Sequence, residues 1–444
     1  AMSLAPWAAR PRPFLACRGD SAGCLTASST PSPSPAQLRR AALALPLALP
    51  PRGGVFRGGE MPPTSTRRAR WPTAALGPSA PEGSDSEAPR QRRVRYGGLY
   101  PKKFEDKYKE LRGDAEVLER VASKGSTAAG THRPICVDEI LEKLNLAPGE
   151  VGIDCTLGYG GHAVEMLQKV APGGGRLYGL DQDPLELPKT TARIREAGYG
   201  EEAFFPVHTN YAAVGEVLLQ EPEGVDFILA DLGLSSMQID NPERGFTFKS
   251  DGPLDLRMDP SKGEPASACL EAWCSDLEFL ETLFVEGADF SDYDARLLAG
   301  AVAEDPARAA TTKGFDSIVR TALGGLLGPG GTPLGVKAMD KLVARGFQAV
   351  RIAVNSEFSS LSAMLAAAPY CLAPGGRIAI LTFHSGEDDR VARAFADCQR
   401  AGVLADVGGP LRPSPRERWE NPRSKCARLR WARRAMPGEV VEPP

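Results

Sequence analysis

Residues Asp231 to Pro260 read DLGLSSMQIDNPERGFTFKSDGPLDLRMDP and crowd Asp231, Gln238, Arg244, Asp251, Asp255, Arg257 and Asp259 behind one apolar run, Val225 to Ala230. An ordinary loop needs turn formers, not this many charged and amide side chains behind one strand end. In open α/β sheets, ligands bind outside the carboxyl ends of the strands. The chemistry such a set suits is work on the exocyclic amine of a nucleobase. The lone pair of that nitrogen is delocalised into the ring and is a poor nucleophile. A carboxylate at Asp231, joined by a backbone carbonyl, can accept both N–H groups, localise the lone pair and aim it at an electrophile. Positioning and electrostatics then supply the catalysis; no metal and no covalent nucleophile is required.

A second constellation lies upstream. VGIDCTLGYGGHAVEMLQKVAPGGGRLYGLDQDP, Val151 to Pro184, reads as strand, glycine loop, helix, turn, strand and acidic tip. The strands are expected at Val151–Asp154 and Leu177–Leu180, with a crossover helix over Ala163–Val170. Gly158, Gly160 and Gly161 would let the backbone approach a ligand that faces the N-terminus of the next helix. Asp181 lies 20 residues after Gly161, where an acid accepts hydrogen bonds from ribose hydroxyls. The GxGxxG spacing of a dinucleotide site is missing, since Gly160 and Gly161 run directly into His162. Asp154 matches the cationic methionine end of S-adenosylmethionine better than it matches a pyrophosphate. The bland alternative is a tight strand-to-helix turn that holds no ligand. Tyr211, after a short strand over Ala203–Val207, offers a ring to an adenine.

The rest of the chain must position these groups. Val225–Ala230 and Arg377–Phe383 read as further buried strands, and the second delivers His384 and Ser385 to the expected ligand edge. Of four histidines, His132, His162 and His384 fall in such motifs. A hydrogen-bonding or stacking role in base recognition suits His384 better than proton abstraction. Phe347–Leu365 reads as one amphipathic helix carrying Arg351 and Asn355 one turn apart. These two could meet RNA, or Arg351 could pair with Glu357 or a loop carboxylate. Residues 261–345 differ in character, with Leu270, Trp273, Leu277, Leu280, Leu283 and Phe284 at helical spacing and GGLLGPGGTPLG at 324–335 as a break. Thirteen acids outnumber the bases there, and an acidic surface repels phosphates. From Arg412 to Arg434, basic residues interleave with Trp419 and Trp431, a composition that suits RNA backbone contacts and base stacking, or a merely solvated tail.

The chain resembles the bacterial 16S rRNA cytosine-N4 methyltransferase family, the group named RsmH or MraW. The similar blocks include HRPICVDEIL at 132–141, DCTLGYGGH at 154–162, DQDP at 181–184, DLGLSSMQID at 231–240, ERGFTF at 243–248, DGPLDLRMDP at 251–260, LAPGGRIAILTFHSGED at 372–388 and ENPRSKCARLR at 420–430. They span about residues 131–432. The resemblance implies S-adenosylmethionine as donor, a decoding-centre cytosine as target, and small-subunit rRNA or the assembled small subunit as partner. It places the donor on Gly160, Gly161, His162, Asp181, Tyr211, Asp231 and Gln238, with Asp154 and Gly158 added from the loop itself. Asp231 and His384 are the expected catalytic pair. Arg244, Arg257, Arg351, Asn355, His384 and Ser385 are the expected substrate contacts. The chain departs from the pattern at VEGADFSDYDARLL, 285–298, and at Gly386 and Asp389, and residues 1–130 fall outside it. Other readings are an amine methyltransferase on DNA or protein, against which the absence of a DPPY-type tetrapeptide counts, and an assembly factor that keeps the fold without turnover.

Composition completes the frame. The 444 residues are 25% charged and 42% hydrophobic, and no apolar run approaches the roughly 20 residues needed to cross a bilayer. Nine scattered cysteines without a CxxC pair suit reduced thiols in an intracellular compartment, with Cys269 and Cys274 as core residues and no metal site. Residues 1–80 hold ten arginines, no lysine and only Asp20 and Glu60 as acids. Arg-rich, Ser-rich and acid-poor composition marks an organelle transit peptide, here for a chloroplast or, second, a mitochondrion; a basic nucleic-acid-binding arm is the alternative. The expected architecture is an α/β, class I Rossmann-like methyltransferase with an inserted all-helical subdomain. Its parts are a transit region 1–95, an extension 96–130, the methyltransferase domain in two pieces, 131–260 and 346–444, and the insert 261–345.

Overall fold

The computed structural model describes residues 134–327 and 331–444. The expected transit region, the 96–130 extension and His132 lie outside these residues. Seven strands, β1 (Val151–Asp154), β2 (Arg176–Asp181), β3 (Phe204–His208), β4 (Val225–Asp231), β5 (Leu372–Thr382), β6 (Leu404–Leu411) and β7 (Arg428–Arg434), form one sheet. Their order is β3-β2-β1-β4-β5-β7-β6. The first five run parallel, while β7 is antiparallel to both neighbours. This is the class I methyltransferase arrangement. Strand order reverses between β1 and β4, and a crevice opens at the carboxyl ends of strands beside such a switch point.

Period-two alternation decides which side chains go to which face. On β4, Ile228 and Ala230 join one buried cluster, with Leu361, Met364 and Phe395, while Phe227 and Leu229 join the other, with Met166, Leu167 and Phe204. On β5, Ile378 and Ile380 split from Ala379 and Leu381 in the same way. Helices α1 (Val137–Leu144), α2 (Gly161–Val170) and α3 (Leu187–Glu196) accompany the first half of the sheet. A short α4 (Ser236–Asp240) follows β4.

The helical subdomain consists of α5 (Ala266–Trp273), α6 (Leu277–Ala288), α7 (Asp292–Glu304), α8 (Thr312–Leu323) and α9 (Val336–Val354). Its core is a third cluster built on Phe284, Leu298, Phe315, Val319 and Val343, and it also takes in Phe246, Leu254, Phe347 and Val350. The subdomain therefore exceeds the 261–345 boundaries at both ends, and α9 runs straight through the second. Leu277, expected in the apolar stripe, is 47% exposed at the start of α6. Cys269 and Cys274 are half-buried rather than core residues.

The helix expected over Phe347–Leu365 is two helices. Backbone at Ser356 turns left-handed (φ 51°), so α9 stops at Val354 and α10 (Glu357–Cys371) starts anew. Asn355 supports the break: its Nδ2 donates to the carbonyls of Leu256 and Arg351, and its Oδ1 accepts from Met258 N–H. After β5 come α11 (Ser385–Arg400) and α12 (Pro415–Glu420). No helix among the described residues is long and apolar enough to cross a membrane.

Candidate active site

The carboxyl ends of β1, β2, β4 and β5 open into a cavity of about 540 Å³, a size that suits a small-molecule ligand. Gly158, Gly161, His162, Asp181, Tyr211, Asp231, Gln238, Arg351 and His384 line it. Of the residues expected from sequence, Asp154, Gly160, Arg244, Arg257, Asn355 and Ser385 do not.

Asp231, the last residue of β4, forms the floor. Its backbone N–H donates to Thr156 Oγ1 at 2.6 Å, which ties the β4 end to the loop after β1. Its Oδ1 is buried without a hydrogen-bond partner, and Oδ2 lies 3.6 Å from His162 Nδ1. The side chain keeps 26% of its surface open, but it opens into the cavity, away from bulk water. That burial, with Asp154 and Glu387 nearby, pushes its carboxyl up to about 8. Asp154 lies beneath the floor, 1% exposed, accepting from Thr156 N–H at 3.0 Å. Burial raises it to about 7, against that hydrogen bond and with help from Asp181. His162 is buried, and its Nε2–H donates to the Ile135 carbonyl at 3.0 Å. Burial lowers it to about 4, so the ring is neutral at physiological pH.

Asp181 stands at the tip of β2. Its two oxygens accept from Gly158 N–H at 2.7 Å and Asp183 N–H at 2.8 Å. Burial still raises it to about 6. A carboxylate has about four acceptor sites, so capacity remains for ribose hydroxyls. Tyr211 opens the turn after β3, its hydroxyl donating to the Glu357 carbonyl at 3.4 Å. Gln238 completes a capping box on α4 through Ser235 N–H, and its Nε2 donates to Asp183 at 2.8 Å.

The glycine loop serves the protein as much as any ligand. A Cβ on Gly160 (φ 86°) would stand 2.8 Å from Thr190 Cγ2, and one on Gly161 would stand 2.4 Å from Pro134 Cγ. Close approach of helix α3 and of Pro134 accounts for both. Only Gly158 would meet nothing tighter than 3.7 Å.

The arginines expected to touch substrate are framework. Arg244 is 6% exposed; it donates to Asp183 at 2.7 Å and to the carbonyls of Arg257 and Met258 at 3.1 and 2.9 Å. Arg257 is bidentate on Asp255, at 2.7 and 2.8 Å. Both hold the 231–260 loop in shape: Arg244 ties it to the β2 tip, and Arg257 closes on Asp255 and on the Gly263 carbonyl just past it at 2.8 Å. Asn355 fastens the same loop at the helix break, and Ser385 donates to Asp289 of the helical subdomain. Arg351 lines the cavity yet is bidentate on Glu357, at 2.7 and 2.9 Å, the pairing weighed from the sequence.

The far wall adds groups the sequence did not single out. Glu387 is 4% exposed, accepts from Phe383 N–H at 2.8 Å, and approaches His384 Nε2 to 3.2 Å. Burial works to raise its carboxyl, but His384, the Phe383 N–H and Arg351 together hold it below the usual range. Its signal was its place three residues after His384 at a helix start. Phe358 explains one departure from the family pattern. Its ring lies 2.7 Å from where a Gly386 Cβ would be, tilts against His384 at 5.9 Å, and carries the Arg390 guanidinium at 3.6 Å.

The MraW methylase family matches residues 129–435. The chain belongs to that family. It is 44% identical over 355 residues to "Ribosomal RNA small subunit methyltransferase H 2" of Alkaliphilus metalliredigens, covering 79% of this chain and 99% of the relative. A methyltransferase H 1 of Lachnoclostridium phytofermentans is 43% identical over 358 residues, with 79% and 95% covered. One from Synechococcus is 36% identical over 316 residues, with 68% and 92% covered. Seventy-nine per cent of 444 residues exceeds the stretch from Thr131 to the C-terminus. The match therefore reaches into the 96–130 extension, which the sequence reading had placed outside the bacterial pattern.

The methyl donor is S-adenosylmethionine, and the residues fit it. The floor offers a buried, partnerless carboxylate oxygen to a cationic ligand, and Asp181 retains acceptor capacity beside a tyrosine ring.

Proposed function

We propose that this protein methylates the exocyclic N4 of a cytosine in small-subunit rRNA, within a plastid or, as second choice, a mitochondrion. The observation that carries the chemistry is the Asp231 carboxyl at the cavity floor, with about a quarter of its side chain open to the cavity and no lysine or arginine partner among the described residues. With the cationic donor bound the carboxyl ionises, and an amine N–H directed at it meets a full acceptor. Bound S-adenosylmethionine supplies a methyl group on a sulfonium, an electrophile that needs no further activation. Asp231 draws the N4 lone pair out of ring conjugation. With its carboxyl held near 8, it can also take the proton the amine sheds as the N–C bond forms. His384 stands on the opposite wall of the cavity, its Nε2 3.2 Å from Glu387, and its ring face is suited to the base. Glu387 beneath it fixes the ring. The relatives' names support the rRNA target, and the arginine-rich, acid-poor residues 1–80 support the organelle.

The test incubates the full chain and donor with unmethylated small subunits and, separately, with free rRNA, followed by nucleoside mass spectrometry. N4-methylcytidine in the subunit sample is expected. Donor binding without any methylated cytidine would sink the cytosine assignment and favour an assembly role.

A further inference from the structure

The basic tail divides into two parts once its partners are known. From Arg428 onward the cations are consumed internally: Arg428 and Arg430 converge on Asp388, and Arg433 spans Asp406 and Glu439. Trp431 packs over Gly408, with Lys143 above its ring at 4.9 Å. Residues 412–425 behave differently. Among the described residues Arg412, Arg418 and Lys425 have no carboxylate partner, whereas Arg416 pairs with Glu420 at 2.8 Å and Arg423 with Asp240; Arg418 Nε is buried and unbonded. Between them Trp419 stands 82% exposed on α12.

This segment is built into the cavity rim. Asn421, Pro422, Arg423 and Cys426, just past α12, line the cavity. Arg423 reaches Asp240 at 3.1 Å and also Ser236, on the loop that follows the Asp231 floor. Glu417 accepts from Cys136 N–H at 2.9 Å, which anchors α12 beside Pro134 and Ile135 of the opposite rim. A single exposed apolar side chain is unremarkable by itself. An exposed indole on an anchored helix, among unpaired cations at the mouth of the site, is the combination that holds single-stranded nucleic acid.

We propose that Trp419 is a stacking platform for a nucleotide flanking the target base, with Arg412, Arg418 and Lys425 meeting the adjoining phosphates. The inference rests on the rRNA reading and names the surface that reading lacks. In the acidic helical subdomain Tyr293 is exposed on α7, but Arg296, one turn on, is paired with Glu281 at 3.5 Å.

The test uses the full chain and a labelled single-stranded oligoribonucleotide of about 12 residues carrying the target cytosine. Its affinity is followed by fluorescence anisotropy across salt concentrations, with donor affinity measured in parallel. W419A is expected to weaken RNA binding about ten-fold, W419F to stay near wild type, and both to leave donor affinity unchanged. R412Q/K425Q is expected to flatten the salt dependence, since each phosphate contact contributes to that slope. Equal RNA affinity for W419A and wild type would overturn the proposal. So would a defect seen only on assembled subunits, which would assign the surface to a ribosomal protein. Wild-type protein that neither binds the oligonucleotide nor methylates any RNA would overturn the rRNA reading itself, and the platform with it.

Discussion

Two sets of carboxylates surround the same cavity and have opposite surroundings. On the floor, Asp154, Asp181 and Asp231 have no lysine or arginine partner among the described residues, and burial raises them to about 7, 6 and 8. In the frame, each acid has its own arginine. Asp183 holds Arg244 at 2.7 Å, Asp255 holds Arg257, Glu357 holds Arg351, and Asp388 holds Arg428 and Arg430. Burial pushes Asp255 and Asp388 up, but their arginines outweigh it and hold both below the usual range. The frame is neutralised within the protein. The floor leaves its negative charge for a cationic ligand to balance, and the free energy stored in those raised carboxyls becomes binding selectivity for positive charge.

Breaking the frame should cost the most. R244M leaves Asp183 fully buried and uncompensated, and losing one partner of such a pair destabilises by about 3–5 kcal/mol. Denaturant unfolding of R244M against wild type measures this. A loss under about 1 kcal/mol would mean that Asp183 is held adequately by Gln238 and the backbone alone, and would erase the contrast between frame and floor.

Breaking the floor should leave the fold and remove the reaction. D231N keeps the side chain's size while replacing the free acceptor with a neutral amide, and it relieves repulsion from Asp154. Stability is expected to hold or rise. The rate under saturating donor and RNA should fall about 10²–10³-fold, the usual loss when one preorganised electrostatic contact to the reacting group is removed. Single-turnover kinetics with unmethylated subunits give the number. A D231N protein that turns over near the wild-type rate would move catalysis to another wall.

The same comparison explains what could be read in advance. The sheet and the floor were legible because their signals are local. Val225–Ala230 alternates between two buried faces, and an acid at a strand end, as at Asp181 and Asp231, has few places to go but the crevice. The frame was not, because its pairings are long-range. Nothing in the spacing of ERGFTF says that Arg244 meets an aspartate on the β2 tip rather than a phosphate. The pairing of the β7 arginines is hidden for the same reason, since Asp388 lies on a different element. Gly160 and Gly161 suggested a ligand, but Thr190 and Pro134 are what their missing Cβ atoms admit. The break at Ser356 was hidden because residues on both sides keep helical periodicity, and only the bonds of Asn355 to the 256–258 segment show why two helices form.

The gentlest probe of the comparison is pH. A carboxyl raised in the folded state binds more protons there than in the unfolded chain, so its contribution to stability declines as pH rises through the folded value. For Asp154 and Asp231 that decline extends to about 7 and 8. His162 works in the opposite sense, because its lowered value favours folding as pH rises, but only up to its unfolded value near 6.5. Between pH 6.5 and 8.5 the floor acids act alone within this set, and the Tm of the ligand-free protein should fall. S-adenosylmethionine, being cationic, binds the ionised floor, so at pH 6.5 its binding must first release protons. The donor-induced increase in Tm should therefore grow across the same window, and D231N should flatten both trends. A donor effect that shrinks as pH rises would show that the floor does not face positive charge, and the distinction between the two sets of carboxylates would lose its functional meaning.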